Sequence, residues 1–276
     1  MRAEVRRGTQ GRANGSARHR GGAGPLLRAG GLAVCAAVAL VSGCDGGANS
    51  GGSPTGSAAP APASDGHFVS PLKNPDGTKP GLAPLTGEAD RAAARALIES
   101  LSTKGRGPKT GYDRDRFGYA WMDTADGVPW ARNGCDTRND LLKRDGQDVR
   151  FRKGSTCVIV SMSLHDPYTG RTIQWTKSHA ATVQIDHVMP LSYDWQMGAA
   201  HWTKDKREQI ANDPLNLLPV DGPANSAKGD SGPATWLPPS KGIRCAYSVR
   251  FAQVSRKYEL PVTPADKSMM LRQCAG

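Results

Sequence analysis

One segment limits the possible folds more than any other. Residues 182–188 (TVQIDHV) alternate apolar and polar side chains in a β-rich composition, so they read as a strand that ends in Asp186 and His187. Pro190 closes it. A second short apolar run, residues 215–220 (LNLLPV), is followed by Asp221 to Gly229, which reads as a short helix with Asp221 as its cap and Pro223 early in its first turn. Strand, strand and helix then carry Asp186 and His187, Asn216, and Asn225 with Lys228. The last two are three residues apart, so a helix sets them on one face. A carboxylate, an imidazole, two amides and an amine in this order can hold one metal ion beside one general base. That is the minimum equipment for phosphodiester hydrolysis.

The order Asp-His, then Asn216-Leu-Leu, then Asn225-x-x-Lys228-Gly-Asp resembles the ββα-metal HNH endonuclease motif, or His-Me finger. The chain is most similar to the HNH family that shares the C-terminal domain of GmrSD-type restriction enzymes, and the HNH domain of CRISPR effector nucleases shows a similar series. The resemblance extends to residues 135–139 (CDTRN), 166–170 (DPYTG) and 232–236 (GPATW), and so covers about 112–274. It implies an α+β fold with a ββα-metal core, additional helices and a small sheet. Asp186 and Asn225 would be metal ligands, and His187 the base that deprotonates water. Asn216 would orient the His187 imidazole by hydrogen bonding, and Lys228 would contact phosphate. Neither His179 nor His201 falls at a ligand position, so the donors are oxygen-rich and Mg²⁺ or Mn²⁺ is expected ahead of Zn²⁺. Histidine suits the base because its ordinary pKa lies near neutrality.

Other polar residues have plainer readings. His165, His179 and His201 are singletons and read as structural or exposed, and the tryptophans at 121, 130, 175, 195, 202 and 236 read as core or lid packing. Lys204 to Glu208 mixes charge signs at helical spacing and reads as a solvated face. Arg138, beside Asp136, suits either a bidentate phosphate contact in the cleft wall or an ion pair with Asp136 or Asp140.

The first 44 residues read as an export signal. Seven arginines precede an apolar run at 32–41 that is too short to span a bilayer, and Val41-Ser-Gly-Cys44 resembles a bacterial lipobox with Cys44 as the lipidated residue. A Gly/Ser/Ala/Pro tract at 45–66 reads as a disordered tether, a helix is expected over 87–101, and residues 67–276 are expected to form one catalytic domain. Cys135, Cys157, Cys245 and Cys274 remain outside the signal. An even set in an exported chain suggests two disulfides, and nearness in sequence favours Cys135–Cys157 and Cys245–Cys274 among three connectivities. The chain has a formal charge of +11, but the leader holds seven arginines and one glutamate, which leaves 29 basic and 24 acidic side chains, a net +5. That excess is compatible with a polyanion and is no evidence for one by itself. The expectation is a monomeric, lipid-anchored or secreted, metal-dependent endonuclease acting on DNA, with RNA as a further candidate, that meets the membrane through its anchor alone. Its rivals are a non-catalytic surface lipoprotein that binds nucleic acid or a partner on the same scaffold, and a hydrolase of other phosphodiesters.

Overall fold

The computed structural model describes residues 67–275; the expected leader, lipobox Cys44 and tether lie outside the described residues. Within them, α1 (Glu88–Glu99) starts after Gly87 and presents Ala94 and Ile98, four apart, as its buried stripe. The stripe docks on α6 (Arg244–Tyr258) and α7 (Pro264–Gln273). α6 is buried on nearly all sides, with Val249, Phe251, Ala252 and Val254 fully enclosed, so it forms the axis of the larger apolar core. The disulfide Cys245–Cys274 clips its start to the residue after α7.

α2 (Thr137–Asp145) begins at Asp136, whose carboxylate accepts the Asn139 amide, an N-cap hydrogen bond. Strands β1 (Gln147–Phe151), β2 (Ile159–His165) and β3 (Thr172–Thr176) then form an antiparallel sheet in the order β1-β2-β3. The second expected disulfide, Cys135–Cys157, ties the approach to α2 to the approach to β2. Leu141, Leu142, Ile159, Met162, Leu164 and Trp175 build a second apolar cluster, completed by Val183, Ile185 and Leu217.

Those last three belong to a separate antiparallel pair, β4 (Val183–His187) and β5 (Leu217–Asp221), with Asp186 opposite Leu218 and His187 opposite Leu217. Between them run α3 (Leu191–Met197) and α4 (Lys204–Asn212), and after β5 comes α5 (Gly222–Lys228), which lies against both strands. The Asp221 carboxylate accepts the Ala224 amide as the cap and Pro223 occupies the first turn, as expected. The strand-helix junction is tight: a Cβ on Gly222 would sit 2.2 Å from the Ala181 carbonyl oxygen, so only glycine fits there. The entry to β5 is stitched from outside by buried Arg144 of α2, which donates to the carbonyls of Gly77, Pro214 and Leu217 while its own charge is met by Asp145. No helix among the described residues is long and apolar enough to cross a membrane.

Candidate active site

In a strand, residues two apart share a face. Gln184 and Asp186 therefore point together toward α5, where residues three apart also share a side. Asn225 Nδ2 donates to Gln184 Oε1 at 2.9 Å, and Lys228 Nζ donates to Asp186 Oδ1 at 2.8 Å. The second carboxylate oxygen, Asp186 Oδ2, accepts the Tyr168 hydroxyl at 2.5 Å. Tyr168 comes from the 166–170 turn. Asp166 organises that turn by accepting the amides of Tyr168 and Thr169, and it also accepts the Asp221 amide, which fastens the turn to the end of β5. The Tyr168 ring is walled in by Trp236 and Tyr247, at 5.1 and 5.7 Å between centroids. Burial raises the Asp186 pKa, and the Lys228 ammonium and the Tyr168 hydroxyl oppose that rise; burial and the nearby carboxylate push the Tyr168 phenol well up.

His187 ends β4 beside this carboxylate. Its Nε2 lies 3.0 Å from the Ala211 carbonyl oxygen. A carbonyl can only accept, so Nε2 carries the ring proton and Nδ1 keeps its lone pair. Among the described residues Nδ1 has no hydrogen-bond partner. Burial first, and the Arg114 charge second, lower the His187 pKa to about 3, so the imidazole stays neutral. The indole of Trp121 lies nearly parallel to it, 5.9 Å away and 15° tilted.

Gln184, Asp186, His187, Asn225, Arg114 and Arg138 line one cleft of about 370 Å³. Four of the sequence-derived site residues thus converge, two assignments change, and the two readings of Arg138 narrow to one. Lys228 is not a phosphate contact: its side chain is fully enclosed, and besides Asp186 it donates to the His187 carbonyl at 2.8 Å. It acts as an internal counter-charge that joins α5 to β4. Asn216 makes no hydrogen bond to the imidazole. Its side chain accepts the Met189 amide at 2.8 Å and donates to the carbonyls of Met189 and Ile210, so it fixes the turn after His187 while Ala211 orients the ring. Arg138 makes no ion pair with Asp136 or Asp140 among the described residues; Nη2 donates to the Val183 carbonyl at 3.1 Å and the guanidinium lines the cleft, where burial lowers its pKa.

Tyr168, Trp121, Arg114, Gln184 and the Ala211 carbonyl are functional groups that the sequence reading did not single out. The 166–170 motif already marked the Tyr168 turn as part of the resemblance. Gln184 could have been found from strand alternation, since it lies two residues before Asp186; Trp121 and Arg114 carry no local signal, since they reach His187 from about seventy positions upstream. The tryptophan expectation of core or lid packing holds for Trp175 and Trp195, which are buried, and for Trp121, which packs on the second apolar cluster and also walls the cleft. His179 and His201 are exposed and His165 packs on Phe68, as expected for structural residues. In α4, Lys204 and Asp205 are exposed, in keeping with a solvated face there.

Together these features define a mixed α+β protein, stapled by two disulfides, with a polar cleft on a strand–strand–helix unit. Residues 136–273 match the family model for GmrSD restriction endonucleases, C-terminal domain, and the chain belongs to that family of nuclease-related proteins. An uncharacterized secreted protein of Arthroderma benhamiae is 40% identical over 188 residues, covering 66% of this chain and 85% of that protein. No solved structure matches the chain.

Proposed function

We propose that the protein is an exported, metal-dependent HNH endonuclease that hydrolyses phosphodiester bonds in DNA, with RNA as a further substrate. The observation that carries this reading is the state of His187: its tautomer is set by the Ala211 carbonyl, its Nδ1 is left unbonded, and a buried carboxylate stands next to it at the cleft. In this reading His187 Nδ1 accepts the proton of a water as that water attacks phosphorus. Positioned base catalysis of this kind contributes about 10²–10⁴-fold.

The donors fit a hard divalent cation. Asn225 spends its amide nitrogen on Gln184, which leaves the amide oxygen as the atom available for ligation, and each Asp186 oxygen has a lone pair beyond its present hydrogen bond. Two protein oxygens with waters completing the shell is a magnesium- or manganese-type set. When bound, the ion supplies charge neutralisation at the phosphate and leaving oxygen. Lys228 opposes the burial that raises the Asp186 pKa, Tyr168 fixes the second oxygen, and Arg138 offers positive charge on the cleft wall. On this basis the site takes up the ββα-metal arrangement that the sequence order implies, acting as a monomer.

Export follows from the leader-like sequence and the secreted relative, and we assign Cys44 as the lipid attachment point. The test is incubation of the purified chain, disulfides formed, with supercoiled plasmid in magnesium or manganese, beside His187→Ala and an EDTA control. Metal-dependent nicking or linearisation that vanishes in the variant is expected. A folded wild type that cuts under neither metal refutes the reading in favour of a non-catalytic binding lipoprotein.

A further inference from the structure

Beside the cleft lies a side pocket whose floor, His187, Leu191, Ala211 and Asn212, belongs to the family-matched segment and whose outer wall does not. Residues 114–121 lie before the matched segment, and they form a lip over His187. The lip is anchored. A 3-10 turn, Arg114–Phe117, is capped by the Asp113 carboxylate, Phe117 is buried against Trp195, and Arg207 of α4 donates to the Arg116 carbonyl at 2.9 Å. At the far end Trp121 adopts a left-handed backbone (φ 60°) with its ring stacked on His187, and its carbonyl accepts the Thr137 amide.

Two of the exposed side chains on this lip face the neighbouring pockets. Arg114 lines both the main cleft and the side pocket next to it, and among the described residues its guanidinium donates no hydrogen bond and forms no ion pair within 4.0 Å. Tyr119 lines the side pocket together with His187 and is 63% exposed, the most exposed large hydrophobic side chain among the described residues. The Tyr119 hydroxyl meets the Thr124 hydroxyl at 3.3 Å, and its ring stays open to solvent on the pocket that His187 lines. Arg114 thus borders both compartments, with Asp115 beside it on the side pocket and Arg138, Asp186 and Asp230 on the main cleft.

We propose that this lip is a nucleotide subsite. Arg114 takes the phosphate charge that enclosed Lys228 is unable to meet, and Tyr119 stacks on the base of a nucleotide next to the scissile bond. The inference rests on the endonuclease reading and names its substrate class. A base paired and stacked within a duplex exposes only its edges, whereas an unpaired base offers a face to an aromatic ring. The preferred substrate is therefore single-stranded or locally unpaired nucleic acid.

The test is binding of fluorescein-labelled oligothymidylate, and of a duplex of equal length, to the full chain carrying His187→Ala, read by anisotropy in magnesium. The single strand is expected to bind more tightly than the duplex. Tyr119→Ala should weaken it about 5- to 150-fold, the range for loss of one base–aromatic stack, while Tyr119→Phe retains binding. Arg114→Ala should lower the salt slope of single-strand binding by about 0.7. Equal binding by Tyr119→Ala, or a duplex bound as tightly as the single strand, overturns the subsite. Plasmid and single-stranded circle cleavage by the chain with His187 intact separates the failures. Cleavage with silent lip variants removes the subsite and leaves the nuclease; a folded protein that neither cleaves nor binds removes both.

Discussion

Lys228→Met tests the internal role of the lysine against the phosphate role that the motif implies. Methionine keeps most of the apolar stem and deletes the charge. In the native protein the ammonium is fully enclosed, 2.8 Å from both Asp186 Oδ1 and the His187 carbonyl oxygen. The substitution leaves a buried carboxylate with Tyr168 as its remaining partner and orphans a strand carbonyl. Breaking a buried pair from one side costs about 3–5 kcal/mol. At about 2–4 °C per kcal/mol for a domain of this size, the melting temperature should fall by roughly 6–20 °C. The loss should shrink at acid pH, because Asp186, stripped of its counter-charge, escapes the penalty by taking a proton; its pKa is already raised by burial. Adding Asp186→Asn should restore much of the lost stability, since it removes the uncompensated charge. The assay is thermal and urea denaturation of the three variants at neutral and acid pH. A Lys228→Met protein as stable as wild type, with weaker nucleic-acid binding and a lower salt slope, would refute the internal role and return the lysine to the phosphate.

Three further outcomes are expected. His187 titrates near 3 when folded and near 6.5 when unfolded, so between those values the unfolded chain binds the extra proton and stability falls as pH drops; the slope is about 1.4 kcal/mol per pH unit. His187→Gln should flatten that part of the urea-derived stability profile, and parallel profiles would count against a buried neutral imidazole. Asn216→Ala should cost roughly 2–3 kcal/mol by stranding the buried Met189 backbone groups, and it should lower activity through the displaced turn; lost activity with unchanged melting would instead favour direct contact with the ring. Replacing both Cys245 and Cys274 by serine opens a loop of 29 residues' separation and should cost about 3–4 kcal/mol in chemical denaturation, while leaving any catalysis by the folded fraction intact.

The amino-acid sequence by itself determined the elements that bear the site. Period-two alternation at 182–188, the apolar run at 215–220 and the Asp-Gly-Pro cap are local signals, and β4, β5 and α5 appear within about two residues of where they predict. The two disulfides are the pairing that nearness in sequence favoured among three connectivities, and the fold selected it. Local signals end at the side chain's direction. That Asn225 and Lys228 share a helix side was legible; that the lysine points under the strand pair while the asparagine reaches the cleft rim depends on which part of the face β4 covers. The Ala211 carbonyl that sets the His187 tautomer, the Tyr168 hydroxyl on Asp186, and the Arg114–Trp121 lip all arrive from segments 18 to 73 positions away. A backbone carbonyl has no identity in a sequence, and the worth of a buried charge is set by the partners that exclude water from it. Those partners exist only once the chain has folded.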